Sequence, residues 1–224
     1  MKVIILGATG MVGQGVLREC LLDPGIEAVL TVGRSAAGLQ HKKLKEIIHN
    51  NFKDLSDIED NLPGYDACFF CLGVSSVGMK EEDYLRVTYD ITMTVAHTLV
   101  KLNPEMIFIY VSGASTDSSE KGRVMWARVK GKTENSLLRL PFKAAYMFRP
   151  GYIQPLHGVV SKTKLYRVLY AGLGVLYPIL KRLFPNYVTT TEALGRAMIR
   201  VAKEGAPGSI IESKDIFSIA QQRI

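Results

Sequence analysis

The first seventeen residues, MKVIILGATGMVGQGVL, constrain this chain more than any other stretch. Val3, Ile4, Ile5 and Leu6 form a short apolar, largely β-branched run that stops on Gly7, and glycine recurs at Gly10, Gly13 and Gly15 before helical spacing begins. The pattern predicts a strand, a tight turn and a helix whose apolar face carries Val12, Val16, Leu17, Cys20 and Leu21. A buried parallel strand that feeds directly into a helix leaves the first helical N–H groups unpaired, and with the helix dipole they form a site for phosphate. Gly7 lets the chain turn, Gly10 lets the backbone come close to a pyrophosphate, and Gly13 lets the helix pack on the sheet. The spacing is GxxGxxG rather than GxGxxG. A glycine turn with a purely structural role is the competing reading, and the strand before it and helix after it favour nucleotide binding.

The same alternation continues down the chain. Apolar runs at Ala28 to Val32, Leu44 to His49, Ala67 to Leu72, Ile107 to Val111 and Ala144 to Arg149 read as strands. Helical spacing separates them, over Lys80 to Leu102 with Tyr84, Leu85, Thr88, Ile91, Val95 and Leu99, and over Val124 to Leu140. A shorter helical stretch ends near Leu62. Strands alternating with helices from residue 2 to 151 predict an α/β fold with a doubly wound parallel sheet and ligands at the carboxyl ends of its strands. The second run ends in Gly33-Arg34-Ser35, where such a fold delivers a side chain to the adenosine ribose. An acid there accepts from a 2′-hydroxyl, whereas Arg34 favours a 2′-phosphate; a solvated surface arginine is the alternative.

Beyond residue 151 the pattern is less regular. Leu165 to Phe184 is strongly apolar but broken by Arg167, Gly172, Gly174, Pro178 and Lys181. That is too short and interrupted for a membrane span, so a pair of helices lining a substrate pocket is expected, with a membrane-surface helix as the alternative. Residues 152–188 are accordingly read as a pocket-covering or surface-associated insertion within one domain spanning 1–224. Thr189 to Glu192 carries a helix start that continues over Leu194 to Ala202; a last strand at Ser209 to Glu212 and a helix at Asp215 to Gln221 follow.

Cys20, Cys68 and Cys71 are odd in number and lack metal-ligand spacing, so they read as buried small hydrophobes in a reduced, cytoplasmic protein with no metal centre. The N-terminal apolar run is too short and too soon interrupted for a signal peptide. Charge is uneven: residues 1–112 carry 10 Lys and Arg against 14 Asp and Glu, residues 113–224 carry 18 against 7. The basic half suits an anionic cofactor, an acidic substrate or an anionic lipid surface. Without a compact basic run bearing interleaved aromatics, no specific nucleic-acid partner is expected.

Taken together these residues resemble the short-chain dehydrogenase/reductase superfamily of NAD(P)-binding Rossmann proteins, in its atypical, epimerase-like branch. Gly7-Ala8-Thr9-Gly10-Met11-Val12-Gly13 is similar to that branch's cofactor loop, and Gly33-Arg34 with Ser35 to its NADP-preferring strand end. The resemblance places Asp54 near the adenine, Cys71-Leu72-Gly73 beside the adenosine ribose and Arg149-Pro150-Gly151 along the nicotinamide. Ser112 stands where the family keeps its catalytic serine, and Lys130 where it keeps the lysine of a Tyr-x-x-x-Lys pair. The tyrosine position is Trp126, and an indole donates a hydrogen bond but cannot titrate as an acid and base. Trp126 is therefore expected to be a buried helix-face aromatic. Lys130 is expected as a ribose ligand, with an exposed helix lysine as the alternative.

The resemblance thus implies an NADP(H)-binding protein, preferring NADPH to NADH. On one reading it is an oxidoreductase for a small carbonyl or hydroxyl substrate, in which Ser112 polarises the oxygen and another group or water supplies the proton. On the other it is a non-catalytic, NADP-dependent regulator with a protein or peripheral-membrane partner.

Overall fold

Strand β1 (Lys2–Leu6) shows why the chain folds around its N-terminus. Its side chains alternate in direction, sending Val3 and Ile5 into one core and Ile4 and Leu6 into another, all four essentially inaccessible to solvent. A strand buried on both faces has to lie mid-sheet with helices above and below. The computed structural model describes residues 1–159, 182–184 and 186–221. In it, β1 lies between β2 (Ala28–Gly33) and β4 (Ala67–Phe70). Outward from these run β3 (Leu44–Ile48) on one side and β5 (Ile107–Val111), β6 (Ala144–Arg149) and β9 (Ile210–Glu212) on the other. The order is β3-β2-β1-β4-β5-β6-β9, and every pairing is parallel. This is the doubly wound Rossmann architecture that the alternating pattern predicts.

One face is covered by α1 (Met11–Leu22), α5 (Thr191–Glu204) and α6 (Ser213–Gln221). Val16, Leu17 and Cys20 of α1 meet Leu194, Ala197, Met198 and Val201 of α5 over the sheet. Glu19 of α1, buried between these helices, is paired with Arg196 of α5 at 3.0 Å. The other face is covered by α2 (Glu81–Leu85), α3 (Ile91–Leu102) and α4 (Met125–Leu137). There Val95, Leu99 and Leu137 pack against Phe70, Phe108 and Tyr110.

Three local features depart from the sequence reading. The helix expected from Lys80 to Leu102 is interrupted by a π-helical turn, Arg86–Asp90, that joins α2 to α3 without leaving helical backbone. The stretch before Leu62 is a 3₁₀ helix, Ser56–Asn61. The sequence also gave no signal for β7 (Tyr152–Gln154) and β8 (Val188–Thr190), which pair in parallel as a separate two-stranded ladder. Three-residue strands are too short for a periodic pattern to register. The ladder joins the two ends of the expected insertion. Nearly all of Leu165 to Phe184 lies outside the described residues. No helix of the described residues is long and apolar enough to cross a membrane.

Candidate functional site

A cleft of about 520 Å³ opens at the carboxyl ends of β1, β4, β5 and β6, where a doubly wound sheet places its ligands. One wall is the glycine loop. Gly7 ends β1 with φ +82°, a backbone conformation that L side chains rarely adopt, and a Cβ there would lie 2.7 Å from the main chain of Cys71. A Cβ on Gly13 would lie 2.1 Å from the Gly7 carbonyl oxygen, so the first turn of α1 sits directly on the loop it follows. Gly10 is the residue before that helix; its N–H donates to Gly7 O at 2.9 Å and closes the turn. No side chain caps α1, and its first turn holds no acidic residue. Gly10, Met11 and Val12 line the cleft. A helix start with main-chain donors, no competing carboxylate and no intruding side chain fits the pyrophosphate of a dinucleotide.

The edges of this wall are placed as follows. Cys71, Leu72 and Gly73 all line the cleft at the end of β4. Cys71 is half-buried rather than buried, a correction to its reading as a core residue; Cys20 and Cys68 are in the core. Burial pushes the Cys71 thiol up to about 12, so it lines the wall as a neutral group. Arg34 and Ser35 follow β2 in exposed positions, and Arg34 enters no ion pair among the described residues. Asp54 is exposed, and its carboxylate accepts the Ser56 N–H at 3.0 Å, an interaction that holds it below the usual carboxylate range. Its structural task is to shape the turn before the 3₁₀ helix.

The opposite wall is made of side chains. Trp126, Lys130 and Glu134 are four residues apart on α4 and so share one face. Trp126 is half-buried and lines the cleft together with Lys130 and Ser112, which corrects the expectation of a buried core aromatic. Lys130 is not an exposed helix lysine either: its ammonium donates to the main-chain carbonyl of Ser112. Burial lowers its pKa to about 8, against the opposing pull of the Glu134 charge. The segment it touches is pinned to β6, with Ser112 N–H donating to Phe148 O and Ala114 N–H to Pro150 O, both at 2.8 Å. Pro150 and Gly151 line the cleft.

Arg149 does not face the cleft. Its guanidinium turns inward to Glu134, a carboxylate with no solvent exposure, which accepts from Nε at 3.1 and 3.2 Å and from Nη2. The same guanidinium reaches Glu212 at 3.2 Å and the Ser118 hydroxyl at 2.5 Å. Ser112 joins the network, its hydroxyl donating to Glu134 Oε1 at 2.5 Å or to Phe148 O at 3.1 Å. Sequence reading missed Glu134 altogether. Its one signal was its place four residues after Lys130, on the face that carries Trp126.

The model of the NAD dependent epimerase/dehydratase family matches residues 3–123 and ends just before α4. A relative, the protein named FMP52, mitochondrial, from Meyerozyma guilliermondii, is 25% identical over 209 residues, covering 91% of this chain and 86% of its own. A short chain dehydrogenase family protein from Francisella tularensis superposes with a TM-score of 0.69 at 13% identity, over 97% of this chain and 98% of that one. The Bordetella bronchiseptica enzyme WbmF, solved in complex with NAD+, has a TM-score of 0.67 at 13% identity, over 97% and 76%. At such identities these structures share the fold. The expected cytoplasmic location is overturned, because FMP52 proteins from several fungi are named mitochondrial. Unpaired cysteines report a reducing environment, and they do not distinguish one reduced compartment from another.

Proposed function

The chain belongs to the NAD dependent epimerase/dehydratase family, and from that premise we propose that it is an NADP(H)-dependent oxidoreductase for a small carbonyl or hydroxyl substrate with an altered proton-transfer site. A nicotinamide dinucleotide is the cofactor of the family, and when bound it supplies or takes a hydride. The glycine loop and the start of α1 are suited to the pyrophosphate, and Arg34 to a 2′-phosphate at the end of β2. Lys130 is suited to the nicotinamide ribose, and Ser112 to the reacting oxygen.

The observation that carries this reading is Trp126 on the cleft wall, one helical turn before Lys130. The position faces the site yet cannot exchange a proton, since an indole N–H only donates a hydrogen bond. Proton transfer by a positioned side chain contributes about 10²- to 10⁴-fold, so cofactor binding is expected with slow turnover. The same observation favours a second reading, a regulator that binds NADP(H) without chemistry. Trp126→Tyr separates the two. With folding and NADPH affinity matched, the variant gains reductase activity over a carbonyl panel if the rest of the site is competent. If both proteins bind NADPH and neither reacts, the regulator reading stands. Brisk wild-type turnover that Trp126→Tyr does not raise refutes the altered site. From its likeness to the FMP52 proteins we also infer a mitochondrial location, which fractionation of cells expressing the native protein checks.

A further inference from the structure

Trp126 limits what the cleft can reduce. A hydride delivered to the carbon of an isolated carbonyl leaves an alkoxide, a base about as strong as hydroxide, since water gives up its proton only near about 15.7. Such a product needs an acid in the same step, and an indole supplies none. The described residues that line the cleft include no carboxylate, histidine or tyrosine. Their titratable groups are the Cys71 thiol, which burial pushes up to about 12, and the Lys130 ammonium, engaged with the main-chain carbonyl of Ser112. What they do offer is the aromatic surface of Trp126, an apolar lining from Met11, Val12, Leu72, Val111 and Ile153, and the positive charge of Lys130.

We propose that the substrate is a quinone, held against Trp126 and reduced by two electrons to its hydroquinone anion with no proton taken from the protein. The inference rests on the reading that this cleft binds NADPH and reduces a carbonyl. A quinone answers the missing acid by its own chemistry. The hydride, carrying the electron pair of the C–H bond that breaks in the dihydronicotinamide, forms an O–H bond at one carbonyl oxygen. The ring becomes aromatic, and the displaced π pair settles on the second oxygen as a phenolate. The quinone is reduced and the nicotinamide oxidised, and atoms and charge balance without a protein acid. A phenol gives up its proton near about 10, so this anion is a weaker base than an alkoxide by about six orders of magnitude. It leaves the cleft and takes its proton from water. The charge of Lys130, held at the wall by the Ser112 carbonyl, favours the anion as it forms. A planar conjugated ring also matches Trp126, the one aromatic residue among the described residues that line the cleft, since aromatic rings pair in offset or edge-on geometry.

Trp126 is the single tryptophan of the chain, so its fluorescence reports on this wall directly. The full chain, with NADP+ present so that nothing turns over, is titrated with menadione and with cyclohexanedione, which has two carbonyls and no conjugated ring; free tryptophan corrects for collisional quenching. Saturable quenching by menadione alone is expected, and no quenching, or equal quenching by both, overturns the proposal. With NADPH and without oxygen, menadione is expected to react at least about 10²-fold faster than cyclohexanedione, above the rate without protein and with no solvent deuterium isotope effect on the hydride step. Trp126→Leu raises the KM for menadione about fivefold, the scale of one aromatic pair, and Trp126→Phe restores it. A solvent isotope effect, comparable rates on the two probes, or menadione left unreduced by protein that binds NADPH overturns the proposal. Failure of NADPH to bind by calorimetry counts instead against the cofactor reading. The fluorescence titration without cofactor then decides whether Trp126 holds a quinone, with saturable quenching sustaining that assignment and its absence ending it.

Discussion

The glycine loop and the wall facing it border one cleft, but they are made of different materials. The loop is main chain from seven consecutive residues, Gly7 to Gly13, shaped by the space its missing side chains leave. The facing wall is built from Ser112, Trp126, Lys130 and Glu134, with Arg149 and Glu212 behind them, and it needs β5, α4, β6 and β9 to be assembled first. The family match covers the first and stops short of most of the second. A main-chain site can serve any substrate, since what it binds is common to all of them. A side-chain wall can be altered residue by residue, and the proposed function reads Trp126 as such an alteration.

The contrast is most sharply tested at Arg149. Arg149→Met leaves Glu134 buried without its counter-charge, and unpairing a buried ion pair costs about 3–5 kcal/mol. Urea denaturation should register that loss. A variant as stable as wild type means that the wall is not a coupled unit. On the loop, Gly13→Ala drives a methyl into the Gly7 carbonyl, and overpacking of this kind costs about 1–3 kcal/mol. Here calorimetry should show NADPH binding lost while the urea transition stays cooperative. Loss of both would show that the two walls do not act separately.

A smaller effect is expected at the loop's outer edge. Arg34 is exposed after β2, and NADP(H) should bind at least about tenfold tighter than NAD(H), on the order of 1.4 kcal/mol. An Arg34→Glu variant that keeps the preference removes Arg34 from the site. The smallest effect is on the pH dependence of stability. Lys130 loses its proton near 8 in the folded chain, against an ordinary 10.5, because burial disfavours its charge. Between those values the unfolded chain holds the proton and the folded chain does not, so stability rises with pH across that window. Relative to Lys130→Met, wild type should gain on the order of 1 kcal/mol from pH 8 to pH 10 in urea melts. Parallel curves would mean that Lys130 titrates as a solvated lysine.

The sequence by itself determined the parallel sheet and the glycine loop between its first strand and first helix. Those features are local: a β-branched run that stops on glycine, apolar residues at helical spacing, a chain turn at Gly7. Their physics acts over a few residues, so the order of residues carries it. Ser112 and Lys130 were put in one site by the family resemblance, which no local pattern could do, and Trp126 was expected in the core. The tertiary structure alone decided that Trp126 faces the cleft and not the core, that Arg149 turns away from it, and that Glu134 holds the hydroxyl of Ser112. Such choices depend on which charges and donors meet across 22 residues from Ser112 to Glu134 and 63 from Arg149 to Glu212. A buried carboxylate must find its partners wherever the folded chain brings them, and no spacing in the sequence records that search.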